Sequence, residues 1–181
     1  MKIIETGLPG VVVIEPTVHR DDRGFFLEHF HAERYKLFGA AGPFVQDNLS
    51  RSSQGVLRGL HLQNPNAQGK LVGVLRGVVR DVAVDVRVGS PTFGRHVAVE
   101  LDDLSFRQFW VPRGFAHGFT VLSESADFFY KCDALYNPAE EITIRWDDPD
   151  LAIDWGIAEP ILSKRDAAAP RLRDETRLPN F

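Results

Sequence analysis

Short apolar and aromatic runs, separated by turn residues, fill most of the chain. The clearest covers 78–88, where Val82, Val84, Val86 and Val88 alternate with Ala83, Asp85 and Arg87. A period of two is that of a β-strand with two unlike faces. Asp81 and Asp85, interleaved with these valines, read as a solvated or inter-strand polar face rather than as catalytic groups. A β-branched run over 11–14 and an aromatic-rich one over 24–30 predict further strands. Others are predicted over 44–49, 56–63, 71–75, 96–101, 106–111, 115–122, 128–132 and 142–146.

Helix is scarce. The best candidate is 31–38, closed by Gly39. A short turn is predicted over 148–152, and the polar, Pro-interrupted stretch from Ala167 is expected to wrap the surface. Fifteen Gly and eleven Pro are spread throughout, with no linker, repeat or low-complexity tract. Strands at this rhythm indicate a sandwich, jelly roll or barrel. At 181 residues the expectation is one domain, 1–181.

Composition removes several function classes. With 44% hydrophobic and 25% charged residues, the chain can build a core and is not disordered. The net charge is −4 and the basic residues are scattered, so no stripe offers a nucleic-acid footprint. No apolar run approaches the roughly 18 residues of a membrane span. Glu5 interrupts what would be an apolar signal core, so no secretory signal is expected. The single Cys132 excludes an internal disulfide and a Cys-based zinc site. The expected location is cytoplasmic.

Of the six histidines, two sit among apolar strand residues where a polar group is costly unless paired or used. His61 lies in VLRGLHLQ, beside Arg58 and Gln63, and His117 lies in PRGFAHGF. Together these stretches resemble the two cupin motifs. Pro112, Gly114 and His117 match the second, but Gln63 stands where the first wants a histidine and Lys70 near its carboxylate. A divalent ion needs three or four converging neutral or anionic ligands, and an ammonium would repel it. No metal is therefore expected, and the pocket must work with side chains. A neutral histidine is a good base, best when a carboxylate orients it. Tyr130 could return a proton to the opposite face and Lys70 could hold an oxyanion. Those are the parts for abstracting a proton next to a ketone. On spacing alone, other pairings stay open.

The resemblance narrows further. The stretches DDRGFFLEHF (21–30), FVQDNLSRS (44–52), GVLRGLHLQ (55–63), QGKLV (68–72) and DVAVDVRVGSPTFG (81–94) are joined by VPRGFAHGF (111–119), FFYKC (128–132) and SKRDAAAP (163–170). In this order they resemble the dTDP-4-dehydrorhamnose 3,5-epimerase family of deoxysugar nucleotide biosynthesis. The resemblance implies a mostly β, cupin-like jelly roll (a double-stranded β-helix) with few short helices. It implies His61 as general base, Asp166 as its partner, Tyr130 as general acid, Lys70 as the enolate-side cation and His117 as pocket lining. It further implies nucleotide binding by Arg23, Glu28, Gln46, Asn48 and Arg58, with Tyr136 stacking and Glu141 nearby. Asp47 is a further ligand candidate, with a turn or strand-end hydrogen bond as its alternative. A homodimer is implied, in which an N-terminal strand carries Arg23, Phe26 and Glu28 to the neighbour's site. No cofactor is implied, because no net redox occurs. One departure stands out: the family's usual Ser-x-Lys-Asp is here Ser163-Lys164-Arg165-Asp166, so Arg165 replaces a lysine at a substrate contact. Two alternatives remain at this point: a 3-only or 5-only epimerase of a related dTDP-4-keto-6-deoxyhexose, and a non-catalytic sugar-nucleotide-binding cupin.

Overall fold

The computed structural model describes residues 1–40 and 43–181. Numbered in chain order, a six-stranded sheet runs β1 (Lys2–Glu5), β2 (Val12–Glu15), β10 (Gln108–Val111), β7 (Lys70–Arg76), β12 (Ser125–Cys132), β5 (Gln46–Ser53). A five-stranded sheet runs β13 (Glu141–Thr143), β6 (Leu57–Gln63), β11 (Phe115–Val121), β8 (Val78–Asp85), β9 (His96–Asp102). A separate hairpin pairs β3 (Val18–Asp21) with β4 (Gly24–Leu27). All of these pairings are antiparallel. The architecture is mostly β and cupin-like, with few short helices.

Alternation explains the core. On β8, Val79 and Ala83 join Val72, Val74, Phe109 and Phe128 of the facing sheet in the interior. The neighbours Val82, Val84 and Val86 point the other way, into a second cluster closed by Leu151, Trp155 and Leu172. Both faces of β8 are thus buried, which removes the solvated alternative for Asp81 and Asp85 and leaves, for Asp81, the inter-strand one: it bonds His117 of the adjacent β11. Each aspartate is wholly shielded from solvent. Asp85 survives burial because Arg87, Ser90 and Thr92 all donate to it, at 2.7, 2.6 and 2.6 Å on Oδ2. These bonds outweigh the desolvation that opposes its charge and hold its carboxyl well below the usual range.

The outer face of the six-stranded sheet is covered by the segment after β4. Tyr35, Phe30 and Phe38 pack there on Ile14, Leu71 and Trp110. The predicted helix 31–38 forms as α1 (Ala32–Tyr35) and a 3₁₀ turn (Lys36–Phe38), closed by Gly39 at φ +91. The chain after β13 returns across the five-stranded sheet. Ile161 bridges Val56, a short helix α2 (Lys164–Ala167) follows, and Asn180 bridges Val88. Strands β1 and β3 and helix α2 were not expected from the sequence.

One contact fixes the geometry of the site. Pairing between β11 and β6 shifts register between His117 and Phe119, where the backbones of Gly118 and Gly59 meet. The shift lets Arg58 and His61, an odd number of positions apart, line the same cleft. A Cβ on Gly118 would stand 2.8 Å from the Arg58 carbonyl oxygen and 3.2 Å from the Trp155 ring. Gly118→Ala is therefore expected to cost about 1–3 kcal/mol of stability through overpacking. A urea titration checks this by a lowered midpoint; an unchanged midpoint would contradict the close approach.

Candidate active site

The barrel interior changes character along its strands. On β12, inward-facing Ala126 and Phe128 belong to the core, while Tyr130 and Cys132 line a cleft of about 590 Å³. On β7, Val74 and Val72 give way to Lys70, and on β11, Val121 and Phe119 give way to His117. Gln46 and Asn48 of β5 and Glu141 of β13 complete the polar end. Phe119 and Phe128, stacked 4.0 Å apart, line it where it meets the core.

His61 is the centre of this end. Its Nε2 lies 2.6 Å from Asp166 Oδ1, although the two residues are 105 positions apart. His61 keeps 21% of its side chain exposed, whereas Asp166 keeps only 3%. Asp166 is placed by α2, where Ser163 caps the helix by accepting from the Asp166 backbone N–H at 3.1 Å. Burial opposes charge on Asp166, but the His61 hydrogen bond and nearby Arg165 outweigh it and hold the carboxyl below its usual range. An ionised Asp166 accepting from Nε2–H leaves the Nδ1 lone pair free, since Nδ1 makes no hydrogen bond among the described residues.

A second histidine–carboxylate pair stands beside the first. His117 is the cross-strand partner of His61, and its Nε2 lies 2.9 Å from Asp81 Oδ1. Asp81 is thus a site residue that sequence reasoning passed over; the available signal was a carboxylate inside an apolar strand, which must find a partner. Burial raises its pKa, with His117 and then Lys70 acting in opposition.

Lys70 and Tyr130 bring ends without protein hydrogen bonds among the described residues into the cleft. Desolvation lowers Lys70, partly countered by Cys132, Glu141 and Asp81. Desolvation raises Tyr130, so its hydroxyl stays protonated at neutral pH and can donate. Burial pushes the Cys132 thiol up to about 11, leaving it a neutral wall. Among the described residues no group of three or more His, Cys, Asp or Glu is placed to hold a metal ion. Gln63, at the position of a cupin metal histidine, instead accepts from the Asn137 backbone N–H at 2.8 Å and steadies the loop bearing Tyr136.

Most expected residues converge. His61, Asp166, Tyr130, Lys70, His117, Gln46, Asn48, Arg58, Tyr136, Glu141 and Arg165 all line the cleft. Arg58 is held by Ser52 Oγ at 3.0 Å and has no carboxylate partner among the described residues. Gln46 accepts from the Tyr136 backbone N–H at 2.8 Å. Four do not converge. Asp47 alternates outward on β5 and pairs with Lys131 at 2.7 Å. Arg23, Phe26 and Glu28 lie on or next to the β3–β4 hairpin: Arg23 pairs with Asp21, Glu28 pairs with Arg34, and Phe26 is 71% exposed.

The family model described as dTDP-4-dehydrorhamnose 3,5-epimerase matches residues 5–174. The dTDP-4-dehydrorhamnose 3,5-epimerase of Salmonella typhimurium is 50% identical over 175 residues, covering 95% of this chain and 96% of that protein. The crystal structure of a dTDP-6-deoxy-D-glucose-3,5-epimerase from Legionella pneumophila, in complex with dTDP-4-keto-L-rhamnose, superposes with a TM-score of 0.97. It is 53% identical, covering 99% of this chain and 98% of that one. A 3'-monoepimerase from Streptomyces bikiniensis, in complex with dTDP-quinovose, superposes with a TM-score of 0.92 at 38% identity, covering 98% and 92%.

The depressed carboxyl of Asp166 carries a pH signature. A group whose native pKa is lowered adds stability above its unfolded value, about 3.9 for Asp, and loses it as pH falls through the native value. Asp166→Asn is expected to flatten the fall of unfolding free energy below about pH 4. Denaturant melts across pH 2.5–6 check this; a slope equal to the wild type would contradict the ionised, buried partner.

Proposed function

The chain belongs to the dTDP-4-dehydrorhamnose 3,5-epimerase family, and we propose that its cleft converts dTDP-4-dehydro-6-deoxy-D-glucose to dTDP-4-dehydro-L-rhamnose by inverting C3 and C5. The observation that carries the roles is the 2.6 Å His61–Asp166 pair opening onto the cleft lined by Tyr130 and Lys70.

The hydrogens on C3 and C5 both lie α to the C4 ketone, so removing either leaves its electron pair in an enolate. His61 takes the proton on its free nitrogen, and Asp166 steadies the imidazolium that forms. The Lys70 ammonium, with no hydrogen-bonded partner among the described residues, stabilises the enolate oxygen. Tyr130 delivers a proton to the opposite face of the same carbon. Exchange with water restores both groups, and the cycle repeats at the second carbon. No electron leaves the sugar. His117, held by Asp81, fixes the wall beside the base. Arg58 meets the diphosphate as an unpaired guanidinium, for which its planar fork suits better than an ammonium. Tyr136 offers its ring to the thymine, and Gln46, Asn48 and Glu141 orient the nucleotide and sugar.

The active form is a homodimer of one-domain subunits. The exposed Phe26 and the distance of Arg23 and Glu28 from their own cleft support delivery of the β3–β4 hairpin to a neighbour's site. The location is cytoplasmic, in keeping with a charged nucleotide-sugar substrate; among the described residues no helix is long and apolar enough to cross a membrane. Likeness to the 3'-monoepimerase supports a second reading, inversion at C3 alone.

Tyr130→Phe removes only a hydroxyl and keeps the ring's packing. His61 then still forms the enolate, and the same base returns a proton on the face it left. In D2O, NMR is expected to show deuterium entering C3 and C5 while inversion falls at least 10²-fold. In the wild type, exchange at C3 alone would establish the second reading. Inversion near the wild-type rate would remove Tyr130 from the acid's role.

A further inference from the structure

Arg165 does not point into the cleft as a free cation. Its two terminal nitrogens grip the Glu141 carboxylate, Nη1 on Oε2 and Nη2 on Oε1 at 3.0 Å. The same Nη2 stands 3.4 Å from His61 Nε2, the nitrogen that meets Asp166. Glu141 is further held by the Tyr136 hydroxyl at 2.6 Å and is nearly buried, while Arg165 is 53% exposed. A planar fork clamped at both tips cannot swing away as a lysine on one contact can. α2 therefore presents two opposite charges to one imidazole, both at its Nε2 end: Asp166 in hydrogen-bond contact and Arg165 just beyond it.

We propose that Arg165 is a positioning residue for the base: clamped on Glu141, it holds a guanidinium against His61 and, with Glu141 as counter-charge, sets how readily the imidazole takes a proton. The other groups around His61 stay fixed in this account. His117 with Asp81 behind it faces from β11 and β8, Lys70 from β7, Tyr130 and Cys132 from β12, and Arg58 from its own strand, with Tyr136 beyond Glu141. A cation beside an imidazole disfavours its protonation and an anion favours it. Removing Arg165 leaves Asp166 and Glu141 facing His61 with no cation at its Nε2 end. Removing the charge of Glu141 releases Arg165 from its clamp and takes one anion from beside His61, leaving Asp166 as the remaining counter-charge. The two changes therefore act with opposite sign, which a loss of packing would not produce. The depressed carboxyl of Glu141, where burial is outweighed by Tyr136, Arg165 and His61, agrees with this closeness.

The inference rests on His61 being the base, but its test reads the ligand-free protein. The His61 imidazole is followed by ¹³C–¹H NMR titration, its resonance assigned by its loss in His61→Gln. Arg165→Gln is expected to raise the titration midpoint by roughly half a pH unit or more, less than for a buried neighbour because Arg165 is half exposed. Glu141→Gln is expected to lower it by a similar amount. Arg165→Lys, which keeps the charge and loses the fork, is expected to fall between wild type and Arg165→Gln. The acidic limb of kcat/KM is expected to move the same way in each variant. Midpoints that do not move, that move together for Arg165→Gln and Glu141→Gln, or that coincide for the Lys and Gln variants overturn the proposal. A wild type that exchanges no deuterium into the sugar overturns the proposed function instead and leaves these shifts standing.

Discussion

The hydrogen bond between His61 and Asp166 requires the C-terminal segment to fold back over the five-stranded sheet. A carboxylate with 3% of its surface exposed pays heavily in lost hydration unless donors meet it. The chain meets that demand in steps. Ile161 pairs with Gly55 and Leu57, Ser163 caps α2, and Leu151, Trp155 and Leu172 bury the outer faces of β6, β8 and β11. Loosening any of these steps frees Asp166 to reach water, and His61 then loses the group that orients it. Packing of the second core and the placing of Asp166 against His61 are the same structural fact.

Period-two patterning made much of this legible. Apart from β6, whose register shift breaks the alternation, the strands lining the cleft send alternate residues inward, so apolar core and polar site share strands and differ in position along them. Strands with apolar runs were therefore found in the sequence. β3, reading Val-His-Arg-Asp, was not, because a hairpin outside both cores has no buried face to mark it. α2 is a single turn and shows no helical period. The sequence left Asp81 between a solvated and an inter-strand polar position because β8 is buried on both faces, which alternation cannot distinguish from one buried and one solvated face; its bond to His117 of β11 is the inter-strand one. The convergence of His61 with Asp166 came from a family resemblance. The grip of Arg165 on Glu141 had no sequence signal, since neither residue's partner lies within reach of a local pattern.

Charge in the cleft is divided by partner rather than by residue type. Arg165 is neutralised by Glu141, whereas Arg58 has only a hydroxyl and Lys70 has no hydrogen-bond partner among the described residues. In the proposed reading the diphosphate meets Arg58 and the developing enolate meets Lys70, two cleft cations without a carboxylate within salt-bridge distance among the described residues. Tyr130 brings to the same cleft a hydroxyl whose proton burial holds in place. Under the proposed roles binding and chemistry use different cations, so loss of one function leaves the other measurable.

That separation gives the account its most direct test. Asp166→Asn keeps a hydrogen-bonding group beside His61 but cannot stabilise an imidazolium. Steady-state kinetics with dTDP-4-dehydro-6-deoxy-D-glucose, set beside calorimetric binding of dTDP, separates turnover from affinity. The account predicts a fall in kcat on the order of 10²-fold or more with little change in dTDP affinity. Near-normal kcat with a large rise in KM would contradict it and move Asp166 from the base pair to substrate binding.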